Sequence, residues 1–424
     1  MKKLWALVDG NSFFASCEMV FRPDLKHKPV VVLSSNDGCI IAANHRAKSL
    51  GLKMFGPYFE MKKLLQFNGA VVFSSNFPLY ADISRRVNLI LSEFTPALEI
   101  YSIDECFLDL QGLALPGGSV SFGQSIRKRI NQCVGVDTGV GIAPTKVLAK
   151  LANHLAKKHG VFEGVCSLEL ESDQELWLKK VPIEKVWGIG RKTAPKLRAL
   201  GIRDAWDFRI YPNEKLLYKE ITKLGVALQQ ELRGISCLQD ELEESKKKQL
   251  LCSKSFEYPR TLLTELRDIV ADFAGQVGEK LRQQESCCYM VEVFIQTSPH
   301  VEGPHYFNQA YHRFNAPTSD TRKIVRGALQ ALSQIFKEGL NYKRAGVILY
   351  DIVDKNQQQG SLFGQGDEIK DDLLMEVMDS INNREGFDTI KVAACATASQ
   401  NVSRKEMKSP AYTSRWTEIP VIKN

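Results

Sequence analysis

Three acidic residues stand at the ends of apolar segments that the sequence predicts to be strands. Asp9 follows residues 4–8, and the pair Asp104–Glu105 separates residues 98–102 from residues 106–110. Successive strand residues face opposite sides, so both acids of the pair reach one site only at a strand start or in a turn. A buried carboxylate needs a cationic partner, and carboxylate oxygens suit Mg²⁺, which also binds phosphate oxygens. The pattern predicts a metal site for phosphoryl or nucleotidyl transfer; the alternative is that one acid of the pair is an ordinary surface residue.

The overall composition argues against several classes of protein. The 424 residues carry a net charge of +7, a mild basic excess that is compatible with a polyanionic partner. The ten cysteines form no Cys-x-x-Cys pair and no cluster with histidine, which argues against a zinc site and favours a reducing cytosol. No apolar run reaches the ~18 residues of a membrane helix, and the N-terminal run is too short for a signal peptide. We therefore expect a cytoplasmic protein of about two to four domains.

The first 165 residues alternate strand-like and helix-like patterns. The predicted strands are residues 4–8, 30–33, 70–74, 98–102, 106–110 and 138–142. The predicted helices are residues 44–50, 80–94, 122–133 and 145–158. Gly51 follows the first of these helices, and glycine commonly ends a helix. This order predicts an α+β domain with an antiparallel sheet at its centre.

The remainder of the sequence divides into further parts. Residues 166–240 are predicted to be mostly helical, and the charged stretch 240–248 indicates a solvated linker. The segments that follow are 249–257, 264–283, 288–297, 305–314, 319–336 and 344–352. Their predicted order is β-α-β-β-α-β, which is typical of a ferredoxin-like domain. Residues 356–366, rich in Gln and Gly, indicate a second linker, and the tail contains one predicted helix near 371–383.

Two phenylalanines follow Asp9 closely. Phe13 and Phe14 stand at the predicted start of a helix. A ring beside a metal–nucleotide site would occupy the space of a ribose 2′-hydroxyl. The alternative is that both rings belong to the core, and we expect at least one of them to do so.

Basic residues on two predicted helices are candidates for phosphate binding. His45 and Lys48 lie three residues apart on one helical face, and Lys157 and Lys158 end the helix 145–158. A solvated basic face is the simpler explanation of these residues, and triphosphate binding is the alternative.

A Gly-Ile-Gly turn lies inside a strongly basic stretch. Gly188 and Gly190 precede a predicted helix, whose N-terminal amides would form a phosphate site. The candidate DNA-binding residues are Gly188, Gly190, Arg191, Lys192 and Lys196. The pattern resembles a helix-hairpin-helix motif, which binds the DNA backbone without reading bases.

A short apolar motif interrupts the polar linker 356–366. Gln359, Leu362 and Phe363 have the spacing of the peptides by which replication factors hold the sliding clamp. Exposed apolar side chains in a polar linker favour a docking peptide.

Several of these segments together resemble the Y-family translesion DNA polymerases, and in particular their UmuC-type branch. The resemblance rests on Asp9 with the two phenylalanines, and on residues 102–105, 139–150 and 186–202. Residues 80–86 and 409–416 are similar to the UmuC-type members rather than to the family as a whole. The resemblance extends over essentially the whole chain, including the tail.

The resemblance implies an α+β, multidomain, right-hand polymerase. Its expected parts are a ferredoxin-like palm, small fingers, a helical thumb with a helix-hairpin-helix motif, and a ferredoxin-like little finger. The implied boundaries are 1–20 and 75–165 for the palm, 21–74 for the fingers, 166–240 for the thumb and 245–354 for the little finger. Residues 355–424 would be a linker with the clamp-binding peptide and a UmuC-type C-terminal tail.

The resemblance also implies roles for individual residues. Two Mg²⁺ ions would be held by Asp9, Asp104 and Glu105 together with the backbone carbonyl of Gly10. Phe14 corresponds to the steric gate, where many relatives carry Tyr. The implied nucleotide-binding positions are Phe13, His45, Lys48 and Lys157; His45 stands where Tyr or a smaller residue is frequent.

The implied function is error-prone translesion DNA synthesis in the SOS DNA-damage response, by nucleotidyl transfer from a dNTP to a primer 3′-hydroxyl. The implied partners are primer-template DNA, a UmuD-type dimer, a RecA filament and the sliding clamp, without a membrane. One alternative is a catalytically idle DNA-binding accessory protein, against which the three intact acids argue. Another is a palm-type nucleotidyl cyclase, in which the basic motif and the second ferredoxin-like domain would have no role.

Overall fold

The computed structural model describes residues 3–238, 246–355, 365–386, 388–395 and 406–421, with the backbone alone for 365–370. The chain forms two compact units, which comprise residues 1–244 with 405–424, and residues 245–404. Within the described ranges, no helix is both long and apolar enough to cross a membrane. The predicted clamp-binding residues Gln359, Leu362 and Phe363 lie outside the described residues.

Strands and helices alternate in the first unit, as predicted. Its strands are β1 (Trp5–Gly10), β2 (Val30–Leu33), β3 (Ile40–Ala43), β4 (Val71–Ser74), β5 (Leu98–Ile100), β6 (Glu105–Asp109), β7 (Thr138–Ala143) and β8 (Val165–Ser167). Its helices are α1 (Phe13–Val20), α2 (His45–Lys48), α3 (Tyr58–Phe67), α4 (Phe77–Leu91), α5 (Gly118–Val134), α6 (Lys146–Lys158), α7 (Glu171–Leu178), α8 (Ala194–Ala199), α9 (Ala205–Ile210) and α10 (Glu214–Leu232). The short elements β3, α3 and β8 were not predicted.

The central sheet has the strand order β5-β6-β1-β7-β8, and β1 runs antiparallel to both of its neighbours. Alternate residues of β1 enter different cores. Trp5 and Leu7 pack with α6 and the helices α7 to α10. Ala6 and Val8 pack with α1, α4 and α5 on the opposite face. Asp9 continues the Trp5–Leu7 series, so its side chain belongs to the α6 face.

A smaller sheet with the order β3-β2-β4 lies within residues 30–74. Strands β2 and β3 are antiparallel, whereas β2 and β4 are parallel. Val31, Leu33 and Ile40 share a core with Ala47 of α2 and Leu65 of α3. This small α/β layer is separate from the central sheet and is the part of the chain that the resemblance assigns to the fingers.

The second unit confirms the predicted β-α-β-β-α-β order. Its elements are β9 (Leu250–Arg260), α11 (Leu263–Gln283), β10 (Ser286–Thr297), β11 (Phe307–Thr318), α12 (Thr321–Ile335) and β12 (Tyr342–Asp354). The antiparallel sheet has the order β11-β10-β12-β9, and both helices contribute to one core with it. A further helix, α13 (Gln365–Glu385), is joined to α11 by an ion pair of 2.6 Å between Arg282 and Asp379.

Candidate active site

The three acids predicted as metal ligands lie together at one end of the central sheet. Asp9 of β1 pairs in register with Glu105 of β6. Asp104 is in the bend that precedes β6, and its carbonyl accepts the Gly10 amide at 2.9 Å. Glu105 is the first residue of its strand. The expectation that the acidic pair occupies a strand start is therefore confirmed, and this placement lets both residues approach Asp9.

Each carboxylate has a polar partner: two of the partners are lysines of α6, and the third is a nearby serine. Lys157 forms an ion pair of 2.5 Å with Asp9, and Lys150 forms one of 2.8 Å with Glu105. The Ser102 hydroxyl donates to Asp104 at 2.7 Å. The two lysines are seven residues apart on α6, which places them two turns apart on one helical face. Sequence reasoning missed Lys150, although this spacing from Lys157 was available as a signal.

Two glycines of β7 allow α6 to lie close against the sheet. A Cβ at Gly141 would meet the Asn153 backbone nitrogen at 2.1 Å, and one at Gly139 would meet the Lys157 side chain at 2.8 Å. Gly139 is the register partner of Asp9 on β7. The missing side chain at Gly139 thus leaves the space through which Lys157 reaches Asp9.

The electrostatics of the site are set by crowded acids. The pKa of Asp9 is raised to about 6, chiefly by burial; Lys157 opposes the shift, and the charges of Glu105 and Asp104 add to it. Among the described residues, no three His, Cys, Asp or Glu side chains already form a metal-binding cluster, since these carboxylates face lysines or a hydroxyl instead. The donor set nevertheless fits a divalent cation, because the oxygens are hard ligands and the charge on Asp9 is incompletely neutralised.

The substitution Asp9→Asn is expected to stabilise the metal-free protein above about pH 7. The folded-state pKa of about 6 exceeds the ordinary value of 3.8, so between these values the folded state binds more protons than the unfolded chain. The contribution of Asp9 to stability is therefore fully present below pH 3.8 and is lost as the pH rises through about 6. We expect the melting temperature of the variant to exceed that of wild type near pH 8 and the difference to shrink towards about pH 4.

Thermal unfolding in the presence of a chelator measures this difference. A difference that does not change with pH would contradict the raised pKa of Asp9. Addition of Mg²⁺ is the matched control. A ligand that binds the folded state raises the melting temperature, and the variant lacks one of the proposed carboxylate ligands. Mg²⁺ should therefore raise the melting temperature of wild type more than that of Asp9→Asn.

The two phenylalanines differ in their surroundings. Phe13 is 4% exposed and lies in the core, and its ring approaches to 2.7 Å from where a Cβ at Gly10 would stand. The Phe13 side chain is therefore largely enclosed by protein, and its contact with a nucleotide stays a prediction. Phe14 is half-buried, and its ring stacks on Tyr80 with centroids 4.8 Å apart. Phe14 is thus the ring that remains available at the site.

Of the two predicted phosphate-binding residues on α2, Lys48 lies near the acids and His45 does not contact them. Lys48 donates to the Ser12 hydroxyl at 2.8 Å, and burial, followed by the charge of Lys157, lowers its pKa. Lys48 therefore lies with Lys157 near the acids. His45 is exposed at the first position of α2, and the contacts of the described residues do not join it to the acids.

The Gly-Ile-Gly segment forms a turn before α8. Gly188 has a φ of +79°, which glycine adopts without strain, and the Gly190 carbonyl accepts the amides of Thr193 and Ala194. The side chains of Arg191 and Lys192 are exposed. Two neighbouring cations instead contact protein groups: Arg198 pairs with Glu184 at 2.7 Å, and Lys196 donates to the Glu220 carbonyl at 3.3 Å.

Comparison with known families assigns most of the chain. The impB/mucB/samB family matches residues 8–154, its helix-hairpin-helix motif matches 171–202, and its C-terminal domain matches 247–362. A domain of unknown function (DUF4113) matches residues 372–422. Both the basic turn and the ferredoxin-like unit therefore fall within recognised parts of one family.

Individual proteins resemble the chain over its full length. Protein UmuC of Salmonella typhimurium is 40% identical, with 99% of this chain and 100% of that protein covered. Protein MucB of Escherichia coli is 36% identical, with 99% of each chain covered. A solved Y-family DNA polymerase chimera of Dbh and Dpo4 has a TM-score of 0.67 at 23% identity, covering 83% of this chain and 99% of the chimera. The chain therefore belongs to the impB/mucB/samB family, resembles UmuC over nearly its whole length, and has the fold of a Y-family DNA polymerase.

Proposed function

We propose that this chain carries out error-prone translesion synthesis in the SOS DNA-damage response, by adding dNTPs to a primer 3′-hydroxyl opposite damaged template. The observation that carries the proposal is the meeting of Asp9, Asp104 and Glu105 at one end of the β1–β6 pair. It occurs within a chain that is 40% identical to Protein UmuC over 99% of its residues. Lys157 pairs with Asp9 there, and α1, which carries the half-buried Phe14, begins three residues after β1 ends.

Membership of a DNA polymerase family implies dependence on a divalent metal. We infer that the metal is Mg²⁺, as two ions, and that the ligands are Asp9, Asp104, Glu105 and the carbonyl of Gly10. When bound, Mg²⁺ supplies positive charge that stabilises the triphosphate and the attacking 3′-hydroxyl. The two lysines that now neutralise the acids would then be available to phosphate oxygens.

The chain's own groups provide positioning and electrostatics. Lys48 and Lys157 would hold the triphosphate, with His45 at the outer edge of that site. The ring of Phe14 would lie against the sugar and exclude a 2′-hydroxyl. Phosphoryl transfer needs little covalent participation by the protein. The positioning of the triphosphate and the sugar by these side chains therefore accounts for most of the catalysis that we assign to the protein.

The proposal extends to the division of the chain. We assign residues 1–20 and 75–165 to the palm, 21–74 to the fingers, 166–240 to the thumb and 245–354 to the little finger. Primer-template DNA and dNTPs are the substrates of a DNA polymerase. A UmuD-type dimer, a RecA filament and the sliding clamp, the last through Gln359, Leu362 and Phe363, are the protein partners that we propose.

Removal of the exposed charges beside the Gly-Ile-Gly turn is expected to weaken DNA binding without regard to sequence. In the double variant Arg191→Ala, Lys192→Ala, the plot of log affinity against log salt concentration should become less steep by a slope of about 2. Each phosphate contact releases about one counterion, and two contacts are removed. Fluorescence anisotropy over a salt series measures this slope. Arg198→Ala is the matched control, because Arg198 already pairs with Glu184; equal slopes in the two proteins would contradict the assignment.

Template-directed incorporation tests the proposed activity. Wild-type chain, primer-template, Mg²⁺ and each single dNTP should give addition of the nucleotide that the template base directs. Nucleotide cyclisation without template would favour the cyclase alternative. DNA binding without incorporation, with and without the protein partners, would favour the accessory alternative.

A further inference from the structure

The C-terminal segment, defined as residues 406–421, packs onto the first unit of the chain. The Met407 amide donates to the Ser74 hydroxyl at 3.1 Å, and the Ser74 amide donates to the Met407 carbonyl at 3.0 Å. Tyr412 stacks on Phe21 with ring centroids 4.7 Å apart. The segment therefore extends the edge of β4 and reaches the end of α1, although more than 300 residues separate it from both in sequence.

Ser409 lies at the inner side of this contact and is 6% exposed. The side-chain amide of Asn76, which precedes α4, donates to its hydroxyl at 2.9 Å. The Asn76 amide also donates to the backbone carbonyls of Ser409 and Pro410 at 3.4 Å, and the Asn76 carbonyl accepts the Tyr80 amide at 3.1 Å at the start of α4. Ser409 thus joins the C-terminal segment to the first turn of α4.

Tyr80 of α4 links the fully buried Glu18 to Phe14. The hydroxyl of Tyr80 donates to Glu18 at 2.6 Å, and the ring of the same tyrosine stacks on Phe14 at 4.8 Å with 19° between the planes. Phe14 and Glu18 are four residues apart on α1 and so share one face. Tyr80 spans that face, with its ring against one residue and its hydroxyl on the other. Phe77 packs edge-on against both rings.

We propose that the C-terminal segment positions the steric gate: through Ser409, Asn76 and the first turn of α4 it holds Tyr80 against the ring of Phe14 and thereby sets discrimination between dNTPs and rNTPs. The proposal rests on the assignment of Phe14 as the gate. Ser409, Asn76 and Tyr80 are positioning residues, since they act through Phe14. Loss of the Ser409–Asn76 hydrogen bond, or of the hydrogen bond from Tyr80 to Glu18, frees the aromatic stack to shift, so a wider gate follows.

The test compares full-length variants for single-nucleotide incorporation of dNTP and rNTP, with kcat and KM determined separately. Ser409→Ala and Tyr80→Phe should each lower dNTP-over-rNTP selectivity by about 2- to 10-fold, the range of one buried hydrogen bond. The change should lie mainly in kcat/KM for rNTP, with dNTP incorporation nearly unchanged. Glu18→Gln keeps an acceptor for the Tyr80 hydroxyl and should retain most of the selectivity.

Trp416→Ala is the control on the same segment, because that side chain is 90% exposed; its selectivity should equal that of wild type. The inference is overturned if Phe14→Ala relaxes selectivity while Ser409→Ala and Tyr80→Phe, folded as judged by their melting temperatures, do not. If Phe14→Ala itself leaves selectivity unchanged, the gate assignment fails and the inference fails with it.

Discussion

Asp104→Asn is expected to abolish nucleotidyl transfer while leaving the fold and DNA binding intact. The amide has the size of the carboxylate and keeps an oxygen that can accept from Ser102, which now donates to Asp104 at 2.7 Å. What it removes is the negative charge that a divalent cation needs. We expect single-turnover incorporation to fall by about 10³-fold or more, equivalent to about 4 kcal/mol of transition-state stabilisation.

The matched control is Asp109→Asn, a change of the same kind at the opposite end of β6. Asp109 pairs with Trp5 at the far end of β6, whereas Glu105 pairs with Asp9, and its carboxylate accepts the Gln111 amide. Incorporation by this control should remain within about 2-fold of wild type. Equal activity of Asp104→Asn and wild type would show that the charge at position 104 is not needed for the reaction.

Phe14→Ala is expected to admit ribonucleotides. The half-buried ring, stacked on Tyr80, would overlap a 2′-hydroxyl, and forcing extra atoms into a packed site costs about 1–3 kcal/mol. Selectivity for dNTP over rNTP should therefore fall by about 5- to 150-fold. Competition between dNTP and rNTP on one primer-template measures the ratio directly.

Phe67→Ala provides the comparison for this experiment. Phe67 is also an aromatic residue of the first unit, but it ends α3 and is 90% exposed. Its removal should leave sugar selectivity unchanged. Unaltered selectivity in Phe14→Ala would contradict the assignment of Phe14 as the steric gate, whatever the result for Phe67→Ala.

Much of the fold was predictable because long periodic segments carry their own signal. The order of the second unit follows from segments of eleven or more residues in the structure. The strand at 30–33 has only four residues, but it was predicted with its observed bounds because it is one continuous run of Val and Leu. The strands β3 and β8 have four and three residues, too short for a period to emerge. Their positions depend on pairing with distant strands, which the sequence does not display.

The candidate site was predictable in its acids but not in the groups around them. Acids that end apolar strands violate the usual pattern of burial, so Asp9, Asp104 and Glu105 could be singled out from sequence. Which of two adjacent rings is enclosed depends on the close approach of Phe13 to Gly10. The spacing from Lys157 was a signal for Lys150, but its pairing with Glu105 depends on three-dimensional packing. The same holds for the contact of Ser409 with Asn76, which no local spacing reveals.

The most direct test of the central claim is primer extension across a template abasic site with Mg²⁺ and dNTPs. Wild type and Asp104→Asn would be compared, with and without a UmuD-type dimer and a RecA filament. The proposed function predicts bypass of the lesion by wild type in at least one of these conditions and none by the variant. Absence of synthesis by wild type in every condition, on damaged and undamaged templates alike, would contradict it.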